Sequence, residues 1–208
     1  TSVCWQTRGA VTINDIFHRP AVKLMQGARW LLTRHGWLRT ASMNSQLTVR
    51  SSPDAPRADL KLQLNAIHND YSRRGSLHFP PPRSSGITLL SFPIYPRSRG
   101  HSHIAGNQPW DHPDIQANYL ADSYDQQVTL AGLRLAREIA ARPALQKYVL
   151  DETFPGADHR SDSELLEYAK GTGLTVFHPV GTCRMGKAGE GVVDSELRWI
   201  AYLFSPGS

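Results

Sequence analysis

The sequence lacks several features that would direct it to a specialised class of protein. It has only two cysteines, Cys4 and Cys183, which form neither a CxxC pair nor a disulfide framework. No apolar run approaches the ~18–20 residues that a membrane span requires. The first residue is not methionine and no secretory leader precedes the first polar residues, so we expect a piece of a longer protein. A reducing compartment, the cytoplasm, fits this cysteine usage.

Clustered positive charge is also missing, although the chain is basic overall. The formal net charge is +5 and the isoelectric point is near 9.4. The cations are scattered, with Arg73 and Arg74 as the one adjacent pair, and aromatic residues do not alternate with them. Because nucleic-acid binding needs a basic patch, we expect no nucleic-acid partner.

Hydrophobic periodicity predicts one helix near the start of the chain, then several strands, then two further helices. Leu60, Leu62 and Leu64 alternate with polar residues, as in a strand with one covered face. Val128, Leu135 and Ile139 form one stripe of an amphipathic helix. The predicted helices are 21–35, 128–142 and 161–170, the predicted strands are 46–50, 60–67 and 87–95 with 99–105 as the hairpin partner of the last, and 151–160 is a predicted loop. This order predicts an α+β fold.

The segment 175–186, T-V-F-H-P-V-G-T-C-R-M-G, concentrates residues that carry chemistry, and the residue types alone allow several interpretations. Gly181 to Lys187 matches G-x-x-x-x-G-K, but Ala188 stands where a phosphate loop needs a hydroxyl. His178 with Cys183, or His101 with His103, lacks the further ligands of a zinc site, so no metal is predicted. No G-x-S-x-G serine motif is present.

His178 is the candidate proton acceptor of this segment. Pro179 disfavours helical backbone at the preceding residue, so we expect His178 extended at the end of a strand, and Gly181 permits a sharp turn after it. An imidazole can accept a proton at neutral pH. A histidine that only bonds a backbone carbonyl is the alternative, and the residues by themselves leave it open.

The same segment resembles a known family. F-H-P-V-G-T-C-R-M-G at 177–186, followed by G-V-V-D-S-E-L-R at 191–198, is similar to the C-terminal signature of the glucose-methanol-choline (GMC) family of flavin-dependent alcohol oxidoreductases. Upstream, Y-P-R-S-R-G at 95–100, P-D-I-Q-A-N-Y-L at 113–120 and G-L-R-L-A-R at 132–137 resemble further family segments. The resemblance covers most of the chain.

The resemblance implies a fold, a cofactor and a site. It implies a largely antiparallel sheet with helices packed on one face, and only part of the FAD-binding portion. FAD would take a hydride from an alcohol while His178 removes the hydroxyl proton, with Pro179, Val180, Gly181 and Thr182 near the flavin. Residues 1–170 would form the substrate-binding domain, with the strands of 46–105 walling its pocket. Residues 171–198 would begin the segment that returns to the FAD site, and 199–208 form an atypical tail.

Departures from the family pattern limit what the chain is expected to do. Met43 to Gln46 carries no carboxylate where choline-type members hold a cationic head group, so choline is an unexpected substrate. The likeness ends at Arg198, before the family's second active-site residue, and the glycine-rich FAD fingerprint is absent. We therefore expect these 208 residues to need a separate FAD-binding domain, and to bind FAD poorly and oxidise no alcohol alone. A nucleotide-binding module that uses Gly181 to Lys187, or a non-catalytic remnant, is the alternative.

Overall fold

The computed structural model describes residues 1–41, 43–70, 81–175, 177–187 and 189–200, without the side chain of residue 44. The chain forms two compact units. The first contains residues 1–99 and 118–174, and the second contains residues 100–117 together with the chain from residue 175 onward. The predicted domain division at residues 170 and 198 stays a prediction.

Helices and strands alternate irregularly along the described chain. They are β1 (Ser2–Thr7), α1 (Ile13–His18), α2 (Pro20–Thr33), a 3₁₀ turn (Trp37–Arg39), β2 (Met43–Val49), β3 (Leu60–Asn65), β4 (Gly86–Pro93), β5 (His101–His103), β6 (Asp114–Gln116), α3 (Ser123–Ala140), α4 (Pro143–Gln146), β7 (Val149–Phe154) and α5 (Asp162–Thr172). The predicted helices and the three main predicted strands are all found, with boundaries shifted by a few residues.

The first unit is built on a five-stranded sheet in the order β2-β3-β4-β1-β7, and every neighbouring pair is antiparallel. Val3 lies opposite Leu89, and Leu60 and Leu62 point to the same covered face. Leu133 of α3 and Leu165 of α5 pack on that face, and all six side chains are buried. An antiparallel sheet with helices on one face is therefore confirmed.

Helix α3 approaches the sheet closely at Gly132. A Cβ atom placed there would lie 1.9 Å from the Ser91 Oγ and 2.9 Å from the Leu60 Cδ1. The helix begins five residues before the predicted stripe, where the carboxylate of Asp122 accepts a hydrogen bond from the Tyr124 amide (2.8 Å). The missing side chain at residue 132 thus lets the apolar stripe of α3 lie directly against β3 and β4.

Three strands were not predicted, and one predicted pairing is wrong. β1 lies inside the sheet with nearly every residue buried, so its sequence has no alternation to reveal it. β7 occupies part of the predicted loop 151–160. β5 pairs with β6 and not with β4, which lies in the other unit. Strand pairing over such distances depends on contacts that local periodicity does not encode.

No helix among the described residues is both long enough and apolar enough to cross a membrane.

Candidate active site

The candidate site lies in the second unit, in the loop that follows α5. That helix begins with the predicted capping box, in which Ser161 and Glu164 bond each other's backbone amides, and it ends at Thr172. Neither residue 175 nor residues 177–181 form a strand. The expectation that His178 ends a strand is therefore wrong, because no neighbouring strand pairs with this segment within the described chain.

The loop holds its predicted site residues at the surface. His178, Pro179, Val180, Gly181 and Thr182 are all exposed, and the Val180 side chain is 94% exposed. Gly181 has φ +107°, and no atom lies within 4 Å of a Cβ placed there. The sharp turn expected at Gly181 is present, and it leaves open space on the side where a side chain would lie.

Phe177 introduces backbone strain immediately before His178. Its φ is +61°, a left-handed conformation that is unfavourable for a bulky residue. Its amide donates a hydrogen bond to the Thr175 Oγ1 (3.1 Å), and its ring is 82% exposed. The conformation at Phe177 helps set the direction in which the chain presents His178.

The rest of the signature folds into a scaffold behind this loop. The Arg184 amide donates to the Gly181 carbonyl (3.2 Å), and the Arg184 carbonyl accepts from the Val192 amide (2.8 Å). Gly186 and Gly191 pack backbone to backbone, so that a Cβ on Gly186 would lie 2.9 Å from the Gly191 nitrogen. The Arg184 side chain donates to the Glu190 carbonyl. Packing and hydrogen bonding within the loop therefore explain why the signature has Arg184, Gly186 and Gly191.

Asp194 holds the turn formed by residues 194–198 through its side chain. Its carboxylate accepts hydrogen bonds from the amides of Glu196 (2.9 Å) and Arg198 (3.0 Å) and from the Arg198 guanidinium (2.9 Å). The Arg198 amide, followed by the other two donors, lowers the pKa of Asp194 below its ordinary value despite partial desolvation. Neither Arg184 nor Asp194 was predicted as a structural residue. Their partners lie only two to eight residues away along the chain, and hydrophobic periodicity does not reveal such turn contacts.

The phosphate-loop interpretation finds no support in this geometry. Described residues 177–187 and 189–200 contain no helix, so no helix N-terminus is available there for a phosphate. Lys187 borders an open depression of about 680 Å³ that Glu190 and Asp194 also line. Two carboxyl groups beside one lysine disfavour a polyphosphate.

A metal site is not formed by the predicted candidates either. Within the described ranges, no three His, Cys, Asp or Glu side chains are grouped so as to hold an ion. His101 and His103 on β5 have ring centroids 5.0 Å apart with the rings tilted by 37°, and the His101 Nε2 lies 3.9 Å from the Asp114 Oδ2. This cluster is a surface contact between β5 and β6.

The chain combines an antiparallel sheet with helices on one face and an exposed His-Pro-Val-Gly loop. Comparison with known proteins specifies the family. The sequence profile of GMC oxidoreductases matches residues 96–201, about half of the chain. This chain belongs to the GMC oxidoreductase family, whose members are FAD-dependent.

Two curated relatives and one solved structure illustrate the similarity. The chain is 33% identical to the alcohol dehydrogenase [acceptor] of Pseudomonas putida over 170 residues, which are 81% of this chain and 30% of that protein. It is 35% identical to the choline oxidase of Arthrobacter globiformis over 146 residues, 68% of this chain and 26% of that protein. The solved structure of a point variant of Aspergillus oryzae formate oxidase superposes with a TM-score of 0.78 at 17% identity, covering 95% of this chain and 38% of that one. The chain thus spans about a third of the length of its relatives.

Proposed function

We propose that this chain forms part of an FAD-dependent alcohol oxidoreductase in which His178 accepts the proton of the substrate hydroxyl. One observation carries the proposal. His178 is exposed within the range that the family profile covers, in a loop that has no charged side chain from Phe177 to Cys183. An accessible imidazole in such a loop can approach a neutral alcohol without a competing ion pair.

In the proposed reaction, the protein accepts a proton and the cofactor accepts a hydride. The imidazole of His178 takes the hydroxyl proton, the C–O bond becomes a carbonyl, and the hydrogen on the alcohol carbon leaves with its electron pair. FAD, when bound, supplies the acceptor for that hydride. The protein's contribution is to hold the alcohol beside the histidine and to exclude other proton donors.

The residues after His178 fit a flat, uncharged ring system. Pro179, Val180, Gly181 and Thr182 are exposed, and none of them carries a charge. Gly181 leaves open space where a side chain would project, and Val180 offers an apolar surface. We propose that these four residues lie against the flavin. Their backbone can then contact the ring without a side chain between them.

The substrate is proposed to be a small alcohol, with choline disfavoured. Met43 to Gln46, at the start of β2, contains no carboxylate. A quaternary ammonium group needs a negative charge or an aromatic cage to compensate for lost water.

We also propose that the protein is cytoplasmic and binds no nucleic acid.

The test is a chimera in which this chain replaces the matched 170 residues of the Pseudomonas putida alcohol dehydrogenase. Flavin reduction by a series of primary alcohols is followed by absorbance without oxygen. Replacing His178 by alanine (His178→Ala) should slow flavin reduction by about 10²–10⁴-fold, the usual contribution of a positioned base. Flavin content should not change.

His112→Ala is the matched control, because His112 is another exposed histidine of the second unit. It should leave the rate within about two-fold of the parent. Equal rates for the parent and His178→Ala, with flavin bound in both, would show that His178 is not the base.

A further inference from the structure

Helix α2 has an inverted distribution of polar and apolar side chains. Its one buried residue is Gln26, which is 5% exposed and whose Oε1 finds no hydrogen-bond partner. Leu24, Leu31 and Leu32 are 75%, 64% and 84% exposed. A surface helix normally buries its leucines and leaves its polar residues in water. The packing of α2 in the first unit is therefore the reverse of what its sequence favours.

The exposed apolar residues of α2 form one continuous face. At 100° per residue, they occupy an arc of about 120°. We call this the outer face of α2, and it consists of Ala21, Leu24, Met25, Ala28, Leu31 and Leu32. Gln26 lies on the other side of the helix, and Arg29 lies outside the arc, about 40° beyond Met25. An apolar face of this size, left in water, marks a surface that another part of a protein covers.

In the part of the chain that the structure describes, all six residues of this face are exposed. Within the described chain, the main contacts of α2 are with α1 and the 3₁₀ turn. The solved formate oxidase contains a counterpart of 95% of this chain, yet this chain corresponds to only 38% of that protein. More than half of the family fold is therefore absent from these 208 residues and must pack on some surface of the part that is present.

A second copy of the chain fits the outer face less well. The helix has 14 residues and is about 21 Å long. Stable protein–protein interfaces bury about 1,200–2,000 Å² in total, which requires more than one helix of this length packed on its copy.

We propose that the outer face of α2 is the docking surface for the remainder of the GMC fold. This inference rests on the proposed function, in that the chain works as part of a longer FAD-dependent enzyme. The leucines contact apolar groups of that remainder, and the polar side of α2 stays toward the 3₁₀ turn. The Gly36 Cβ position lies 3.2 Å from the Gln26 Oε1, which shows how closely that side already packs.

Thiol labelling tests the inference without using activity. A cysteine is placed at Leu31 (Leu31→Cys) or, as the matched control, at Arg29 (Arg29→Cys), in a Cys183→Ser background. Each is labelled in the 208-residue chain and in the chimera, and the modified peptide is measured by mass spectrometry. In the chimera, Leu31→Cys should react about ten-fold or more slowly than in the chain alone, because docking removes it from solvent. Arg29→Cys should react at similar rates in both.

Equal labelling of Leu31→Cys in both proteins overturns the inference, even if His178→Ala abolishes flavin reduction. Protection of Leu31→Cys together with an unaffected His178→Ala rate leaves docking intact and removes the proposed function. Different results therefore contradict the docking inference and the proposed function.

Sedimentation of the 208-residue chain provides a second measurement, which does not depend on the chimera folding. The chain should remain monomeric at micromolar concentration. A dimer that the double variant Leu24→Glu/Leu31→Glu disperses, with its circular dichroism unchanged, would assign the outer face to a second copy and overturn the inference.

Discussion

Asp59 connects three parts of the first unit through one buried carboxylate. The Ser51 amide and hydroxyl donate to it at 2.7 and 2.8 Å, and the Tyr124 hydroxyl donates at 2.6 Å. Burial raises the pKa of Asp59, but the bonds from Tyr124 and Ser51 outweigh burial, so the pKa lies below its ordinary value. Asp59 therefore stabilises the fold at neutral pH, and that contribution is lost as the pH falls through the lowered pKa.

Removing the Tyr124 hydroxyl should weaken this connection in a pH-dependent way. We expect Tyr124→Phe to lower the free energy of unfolding by about 1–3 kcal/mol at pH 7, because a hydrogen bond to a charged group is lost. The difference should shrink in acid, where Asp59 becomes protonated. Urea unfolding at pH 7 and near pH 3 measures both values, and an effect that is equal at the two pH values would contradict the assignment.

Arg137 and Glu152 form a second, partly buried connection, between α3 and β7. The guanidinium contacts both carboxylate oxygens, at 2.7 to 3.2 Å, and also donates to the carbonyls of Gly156 and His159. The Glu152 side chain is only 8% exposed. We expect Arg137→Met to lower the free energy of unfolding by about 3–5 kcal/mol, because it leaves the Glu152 carboxylate without its charged partner. Chemical denaturation is the measurement.

Arg134→Met is the control for this ion pair. Arg134 contacts Asp162 at the surface, where both side chains are about half exposed or more. Arg134→Met should lower the free energy of unfolding by no more than about 1 kcal/mol. Similar losses for the two variants would show that burial does not strengthen the Arg137–Glu152 interaction.

At the scale of helices and strands, local sequence patterns predicted the elements that have one buried face and one face exposed to solvent. The alternation of Leu60 and Leu62 and the stripe of α3 were recognised for that reason. The α5 capping box was recognised because Ser161 and Glu164 are close in sequence. β1 was missed because both of its faces are covered, and the partner of β5 was assigned wrongly because it lies beyond a loop.

The close approach of α3 to the sheet gives a prediction for the helix. An alanine normally stabilises a helix by about 1 kcal/mol relative to glycine. We expect Gly132→Ala to be destabilising instead, by about 1–3 kcal/mol, because its Cβ would overlap the Ser91 hydroxyl. Thermal unfolding measures the change.

Gly171→Ala is the matched control, since this residue also lies in a helix and nothing is within 4 Å of its Cβ position. It should be neutral or stabilising. If both alanines stabilise the protein, α3 has room to move away from β4, and the close contact is not a constraint.

At the scale of the whole molecule, the chain is a family member that spans only part of its relatives. The glycine-rich fingerprint that holds a dinucleotide is not among these 208 residues. We expect the purified chain to retain no flavin, and to bind added FAD only weakly, because the exposed loop from His178 to Thr182 offers no charged group for the pyrophosphate.

Visible absorbance after purification and titration with FAD measure this expectation. The chimera is the positive control and should keep its flavin. Flavin that remains with the 208-residue chain through gel filtration would contradict the expected division of the binding site.

The sequence by itself determined the α+β class, the main helices and the family, because periodicity and contiguous motifs are local properties. It also singled out His178 to Thr182 as candidates, whose roles stay proposals. Only the tertiary structure decided that β1 lies inside the sheet. It also showed that α2 turns its leucines outward. These features depend on which distant residues meet, and residues far apart in the chain become partners only once the backbone has folded.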